Sequence, residues 1–172
     1  MEPSPGDEAA AFVAAQLVGD ACLGLAGQRI VLLGPLPRRS VSALSRLQGR
    51  GGWDERIRLC ARLLMRGAQL VVLDCPRSRL QLETLLPLAA DGDGRWQGDC
   101  LVERDLPSAC RGAAALVLLP GWREPPSLSW KALASRMRPQ ALLFDLRTDA
   151  AQLPPPSSGL RVWWLGGCCR WG

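Results

Sequence analysis

The chain has seven cysteines, 21 basic residues among which Lys131 is the only lysine, and no histidine. Without imidazole there is no Ser-His-Asp or Cys-His arrangement, no His-metal site and no side chain that ordinarily titrates near neutrality. That removes most hydrolase readings. Cys22, Cys60, Cys75, Cys100, Cys110, Cys168 and Cys169 are odd in number and contain no CxxC, so neither a disulfide framework nor a zinc knuckle is indicated. Cys60 and Cys110 fall in helical patterns and read as small core residues; the Cys168–Cys169 pair has no reading. The carboxylates of DGDGRWQG (residues 91–98) lack the rest of a calcium loop. Gly34, Asp74, Trp122 and Arg147 fall at or just past the ends of apolar strand-like runs. Ligands of open α/β sheets lie beyond the carboxyl ends of the strands, where all four fall. A guanidinium can fork onto a phosphate, and for Arg147 the competing reading is a salt bridge with Asp145 or Asp149. Trp122 can stack a base or pack its loop. Asp74 can hold a ribose or serve as a turn residue.

The elements that must position these residues follow from periodicity. Residues 114–119 and 141–145 are short, nearly continuous apolar runs, as expected of strands covered on both faces. Between them Ser129 reads as an N-cap, and Trp130, Leu133 and Met137 recur at helical spacing. A strand, a whole helix and a strand make a βαβ unit in a parallel sheet. Upstream, Asp7 caps a helix over 8–18 that carries Phe12, Val13 and Leu17 on one face. RIVLLG (29–34) is a strand ending on glycine, as at the start of many nucleotide-binding domains. No G-x-G-x-x-G follows; Pro35 and Pro37 remove N–H donors that a dinucleotide pyrophosphate would want. Residues 40–53 form a long polar loop. Asp54 caps a helix with Ile57, Cys60, Ala61 and Leu64 inward, Arg58, Arg62 and Arg66 outward, and Gly67 at its end. QLVVLD (69–74) is the second strand, 79–88 a short helix, 101–102 a weak strand and 105–111 another short helix. After the LPPPSSG loop a last strand covers 160–165. Strands alternate with helices throughout, which predicts an α/β fold: a Rossmann-like doubly wound, mostly parallel sheet of about six strands with helices on both faces.

Composition sets outer bounds. A length of 172 residues fits one domain, and 48 % apolar with 22 % charged residues is a globular balance. No apolar run approaches the roughly 20 residues that span a bilayer, and the start, MEPSPGDEAA, lacks the basic region of a signal peptide. A cytoplasmic protein without membrane contact is expected. The net charge of +5 comes from scattered arginines with no basic stripe or recognition motif, so nucleic acid is not expected as a partner.

The order GQRIVLLG, LLMRGAQLVVLDCP, DLPSACRGAAALVLLPGWREP and LSWKALASRMRPQALLFDLR resembles the C-terminal domain of UDP-glucose/GDP-mannose dehydrogenases. That family shows a glycine-ended strand, a helix ending R-G-A, a strand ending Y-D-P, a small helix, A-D-A-L-V-I-L-T-x-W and a strand ending D-x-R. The match runs from about Phe12 to about Gly167, and its most specific parts are Arg66-Gly67-Ala68, residues 113–122 and the Asp145-x-Arg147 pair. The resemblance implies residues 1–26 as the end of the family's connecting helix, 27–167 as a nucleotide-sugar-binding domain and 168–172 as a frayed tail. It implies a UDP-sugar cradled at the carboxyl edge, with Arg147 matching the family's D-x-R arginine and Trp122 its tryptophan. It also implies self-association, since the family dimerises through that helix.

The departures are as informative. After the first strand the family carries a Phe-Lys pair and T-x-D-x-R-x-S-P; here GPLPRRSVSALSRLQGRGGW is longer and has neither. Arg38, Arg39 or Arg50 can stand in for the missing charges, although Arg and Lys differ in geometry. The family's NAD domain and catalytic-cysteine segment have no counterpart, so no cofactor belongs to this chain, and NAD would enter only through a partner chain. Three readings follow: a non-catalytic nucleotide-sugar-binding or regulatory module, one chain of a split NAD-dependent dehydrogenase, or a structural module without ligand. Fold alone does not choose among them.

Overall fold

Successive side chains of a strand point to opposite faces, so a strand buried on both sides must be apolar at every position. Ile30 to Leu33 and Ala115 to Leu118 meet that condition, each at 2 % exposure or less. The computed structural model describes residues 24–34, 55–73, 98–119, 122–147 and 156–164. Within them lie β1 (Arg29–Leu33), α1 (Glu55–Met65), β2 (Gln69–Leu73), β3 (Cys100–Glu103), α2 (Leu106–Cys110), β4 (Ala115–Leu118), α3 (Trp130–Ala134), β5 (Leu142–Asp145), a 3-10 turn (Pro156–Ser158) and β6 (Arg161–Trp164). The strands form one six-stranded parallel sheet in the order β3-β2-β1-β4-β5-β6, the order of a doubly wound fold with its reversal point between β1 and β4. Ile30 is in register with Ala115, Ala115 with Leu142, and Leu142 with Arg161.

The chain's contacts gather in two units. One comprises Met1–Gly27, Leu36–Leu70 and Cys75–Cys100; its described core includes Leu25, Leu59, Cys60, Leu63, Leu64 and Ala68. Here α1 ends as its sequence requires. Gly67 takes φ 83, its N–H donates to the Leu64 carbonyl at 2.9 Å, and the Ala68 N–H reaches back to the Leu63 carbonyl at 3.1 Å. These are the paired bonds of a Schellman motif, which needs a left-handed residue after the last turn. The R-G-A tripeptide is therefore a helix stop. Leu59 and Leu63 are buried beside Cys60, Ala61 and Leu64, so α1 buries a wider face than the expected stripe. Arg66 is exposed as expected; the side chains of Ile57 and Arg58 lie outside the described set.

The second unit comprises Gln28–Pro35, Val71–Asp74 and Leu101–Gly172. Val31, Leu33, Val71, Leu116, Leu118 and Leu143 share one face of its sheet, covered by Ala109 and Cys110 of α2 and by Trp130 and Leu133 of α3, with Met137 after it. The helices are only one turn or so long and depend on this packing, because short helices are marginal alone. Each is capped: Asp105 accepts from the Ser108 N–H at 2.8 Å, and Ser129 from the Ala132 N–H at 3.3 Å. Strand limits fall one residue or so inside the expected ones. The larger correction is α3, which stops at Ala134, leaving Met137 in a bend while still buried. The weak third strand is extended to Cys100–Glu103, and a 3-10 turn forms within the expected Pro/Ser loop. The expected helices at 8–18 and 79–88 lie outside the described residues.

Candidate functional site

The carboxyl edge of β1, β4 and β5 is assembled by hydrogen bonds that run past the strand ends. The Leu119 N–H donates to the Leu33 carbonyl at 2.8 Å, and the Leu146 N–H to the Leu118 carbonyl at 2.9 Å. Gly34, at the end of β1, has φ 143, and a Cβ placed there would lie 2.7 Å from Leu119 Cβ. Glycine here makes room for the buried Leu119 side chain. Past β4, the Trp122 N–H donates to the Leu119 carbonyl at 3.1 Å, and the half-buried indole packs against the core cluster of this unit.

Asp145 and Arg147 stand two residues apart at the end of β5, so an extended chain sends both side chains the same way. The Arg147 Nε donates to Asp145 Oδ1 at 2.8 Å and Nη2 to Oδ2 at 2.6 Å, while the Arg147 backbone N–H adds a bond to Oδ1 at 3.0 Å. Asp145 is fully buried and Arg147 is 8 % exposed. Asp145, one of the two carboxylates that the sequence offered, holds the guanidinium; Asp149 lies outside the described residues. The carbon of that guanidinium lies 5.3 Å from the centroid of the Trp122 ring, within cation–π range. Trp122 meets Trp130 edge to face, with centroids 6.1 Å apart at 63°, and Trp130 Nε1 donates to Glu124 Oε1 at 3.0 Å. A ring–cation–carboxylate chain thus joins the loop after β4, the first residue of α3 and the end of β5.

The structure brings Trp122 and Arg147 into contact and places Gly34 on the same edge, two strands away. Arg38, Arg39, Arg50 and Asp74 lie outside the described residues. Sequence reasoning missed Glu124 and read Trp130 only as core; an acid six positions before a buried tryptophan, across a Pro-Pro turn, was the available signal, since a buried indole N–H needs an acceptor. Among the described residues no nucleophile joins the group. The Cys110 thiol, elsewhere in the unit, is pushed up to about 12 by burial, against the pull of Arg29 and Arg136. Such a thiol is inert at neutral pH. Among the described residues no cluster of His, Cys, Asp or Glu could hold a metal, and no helix is long and apolar enough to cross a membrane.

No family model matches the chain, and no curated protein matches it in sequence. Among solved structures, a mitochondrial ornithine carbamoyltransferase from Coccidioides immitis is similar at a TM-score of 0.53 and 14 % identity, over 94 % of this chain and 50 % of that one. The chain spans about half the length of that protein, and at this identity the likeness is one of fold alone.

Proposed function

We propose that this chain is a non-catalytic nucleotide-sugar-binding module that takes a UDP-sugar at the carboxyl edge of β1, β4 and β5. The observation that carries the reading is the meeting of Trp122 with Arg147 beyond the ends of β4 and β5. A half-exposed ring steadied by a fixed cation beside the reversal point of a doubly wound sheet suits a planar base. The resemblance of the A-A-L-V-L-L-P-G-W and D-L-R segments to the dehydrogenase C-terminal domain supports the same ligand class. Calorimetric titration with UDP, UDP-glucose, GDP-mannose and NAD tests it. Micromolar binding of a sugar nucleotide without NAD binding is expected; no heat at millimolar ligand would sink the proposal. A second reading, a structural module that keeps the fold without the ligand, draws on the Asp145–Arg147 pair, because two of the guanidinium's donors already serve a buried carboxylate.

A further inference from the structure

We infer that Asp145 is a positioning residue: by fixing Arg147 in a two-point grip it sets the Trp122 indole over the carboxyl edge, so that Arg147 serves the site by holding the ring rather than by forking onto phosphate. The inference deepens the nucleotide-binding reading and rests on it for its affinity measurement.

Three observations converge. The Asp145 carboxylate is fully buried and accepts three hydrogen bonds, all from Arg147. Nε and Nη2, one edge of the fork with which a guanidinium would meet a phosphate, are both directed at that carboxylate. The guanidinium carbon lies 5.3 Å from the centroid of the Trp122 ring, and no other cation of the described residues lies against that ring. A planar cation held at two points cannot swing, and a ring resting against it inherits that order. The second ring contact, Trp130, is itself held by Glu124. The arrangement fixes an aromatic surface and leaves neutralisation of phosphate to other groups.

The two roles of Arg147 give opposite signs for one substitution. If Asp145 merely restrains a phosphate-binding arginine, Asp145→Asn frees the guanidinium and tightens nucleotide binding. If Asp145 positions the ring through Arg147, the same substitution loosens Trp122 and weakens binding by about tenfold, the size of one charged hydrogen bond. The experiment labels the full chain with 5-fluorotryptophan, assigns the Trp122 fluorine resonance with Trp122→Phe, and titrates UDP-glucose by calorimetry. In Asp145→Asn the Trp122 resonance should broaden and move toward the solvent-exposed shift, with UDP-glucose affinity falling. An unchanged resonance, or a gain in affinity, overturns the inference. Should Asp145→Asn fail to fold, Arg147→Lys supplies the same readings, because lysine keeps the charge but can neither grip at two points nor lie flat on the ring. Wild-type affinity and an unchanged Trp122 signal in Arg147→Lys overturn it equally. If the unsubstituted chain binds no UDP-glucose, the ligand proposal falls, while the fluorine resonance still decides whether Asp145 orders Trp122.

Discussion

An ion pair such as Asp145–Arg147 costs more to break than it contributes when whole, because taking two charges out of water offsets most of their attraction. Arg147→Ala leaves a fully buried carboxylate without its cation. Urea denaturation should show a loss of about 3–5 kcal/mol for that variant, whereas Asp145→Leu with Arg147→Met recovers most of it. A single-variant loss below about 1 kcal/mol would place the pair with solvent-screened surface bridges instead. At this scale the sequence was half legible. Period two at the end of a strand brought Arg147 to a neighbouring acid, but Asp145 and Asp149 both lie two positions away, and no local pattern ranks one above the other. The reading of Gly34 followed the same pattern. A glycine closing a first strand suggests an approaching ligand, and the neighbour that needs the space is Leu119, whose place beside it depends on a strand pairing that no local pattern states.

At the scale of elements, the cap of α2 carries a pH signature. The Asp105 carboxyl lies below the ordinary aspartate value of 3.8, first because it accepts from the Ser108 backbone N–H, then because it accepts from the Ser108 hydroxyl, with Arg136 and Arg111 adding to the effect. A group whose pKa is depressed on folding contributes stability that is complete above its unfolded value and is lost as pH falls through the folded one. Thermal melts should therefore fall more steeply below about pH 4 in the unsubstituted chain than in Asp105→Asn, which caps without titrating. Equal slopes would remove this cap from the acid limb. At the end of β1, Gly34→Ala must accommodate a Cβ against Leu119 and hold a backbone angle that alanine rarely adopts. A loss of about 1–3 kcal/mol is expected by denaturant titration; a neutral variant would mean that Leu119 shifts freely. Element types were readable because apolar runs and caps are local signals: Ser129 caps as its sequence position implies, while Asp105, read as the first residue of the helix over 105–111, proves to be its cap. The end of α3 was not, because Met137 continues the helical spacing after the helix has stopped, held inward by a bend rather than by another turn.

For the whole molecule, continuous hydrophobicity in residues 115–118 and 142–145, with strands alternating with helices, was enough to foresee a doubly wound, mostly parallel sheet of about six strands, while the strand order came only with the structure. What stayed hidden was the arrangement at the carboxyl edge, since the groups that meet there come from the loop after β4, α3 and the end of β5, and their distances exist only once the sheet has formed. That same sheet order governs how the chain is made. β1 sits between β2 and β4, yet only β2 follows it closely; its other partner emerges from the ribosome after β2, β3 and α2 have all been synthesised. Until then RIVLL offers an open apolar edge to any neighbour. Non-local pairing of this kind slows folding and lengthens the time at risk. A chain released before Ala115 should accumulate in the insoluble fraction, so the step that closes the sheet's centre is also the step that makes the nascent protein safe.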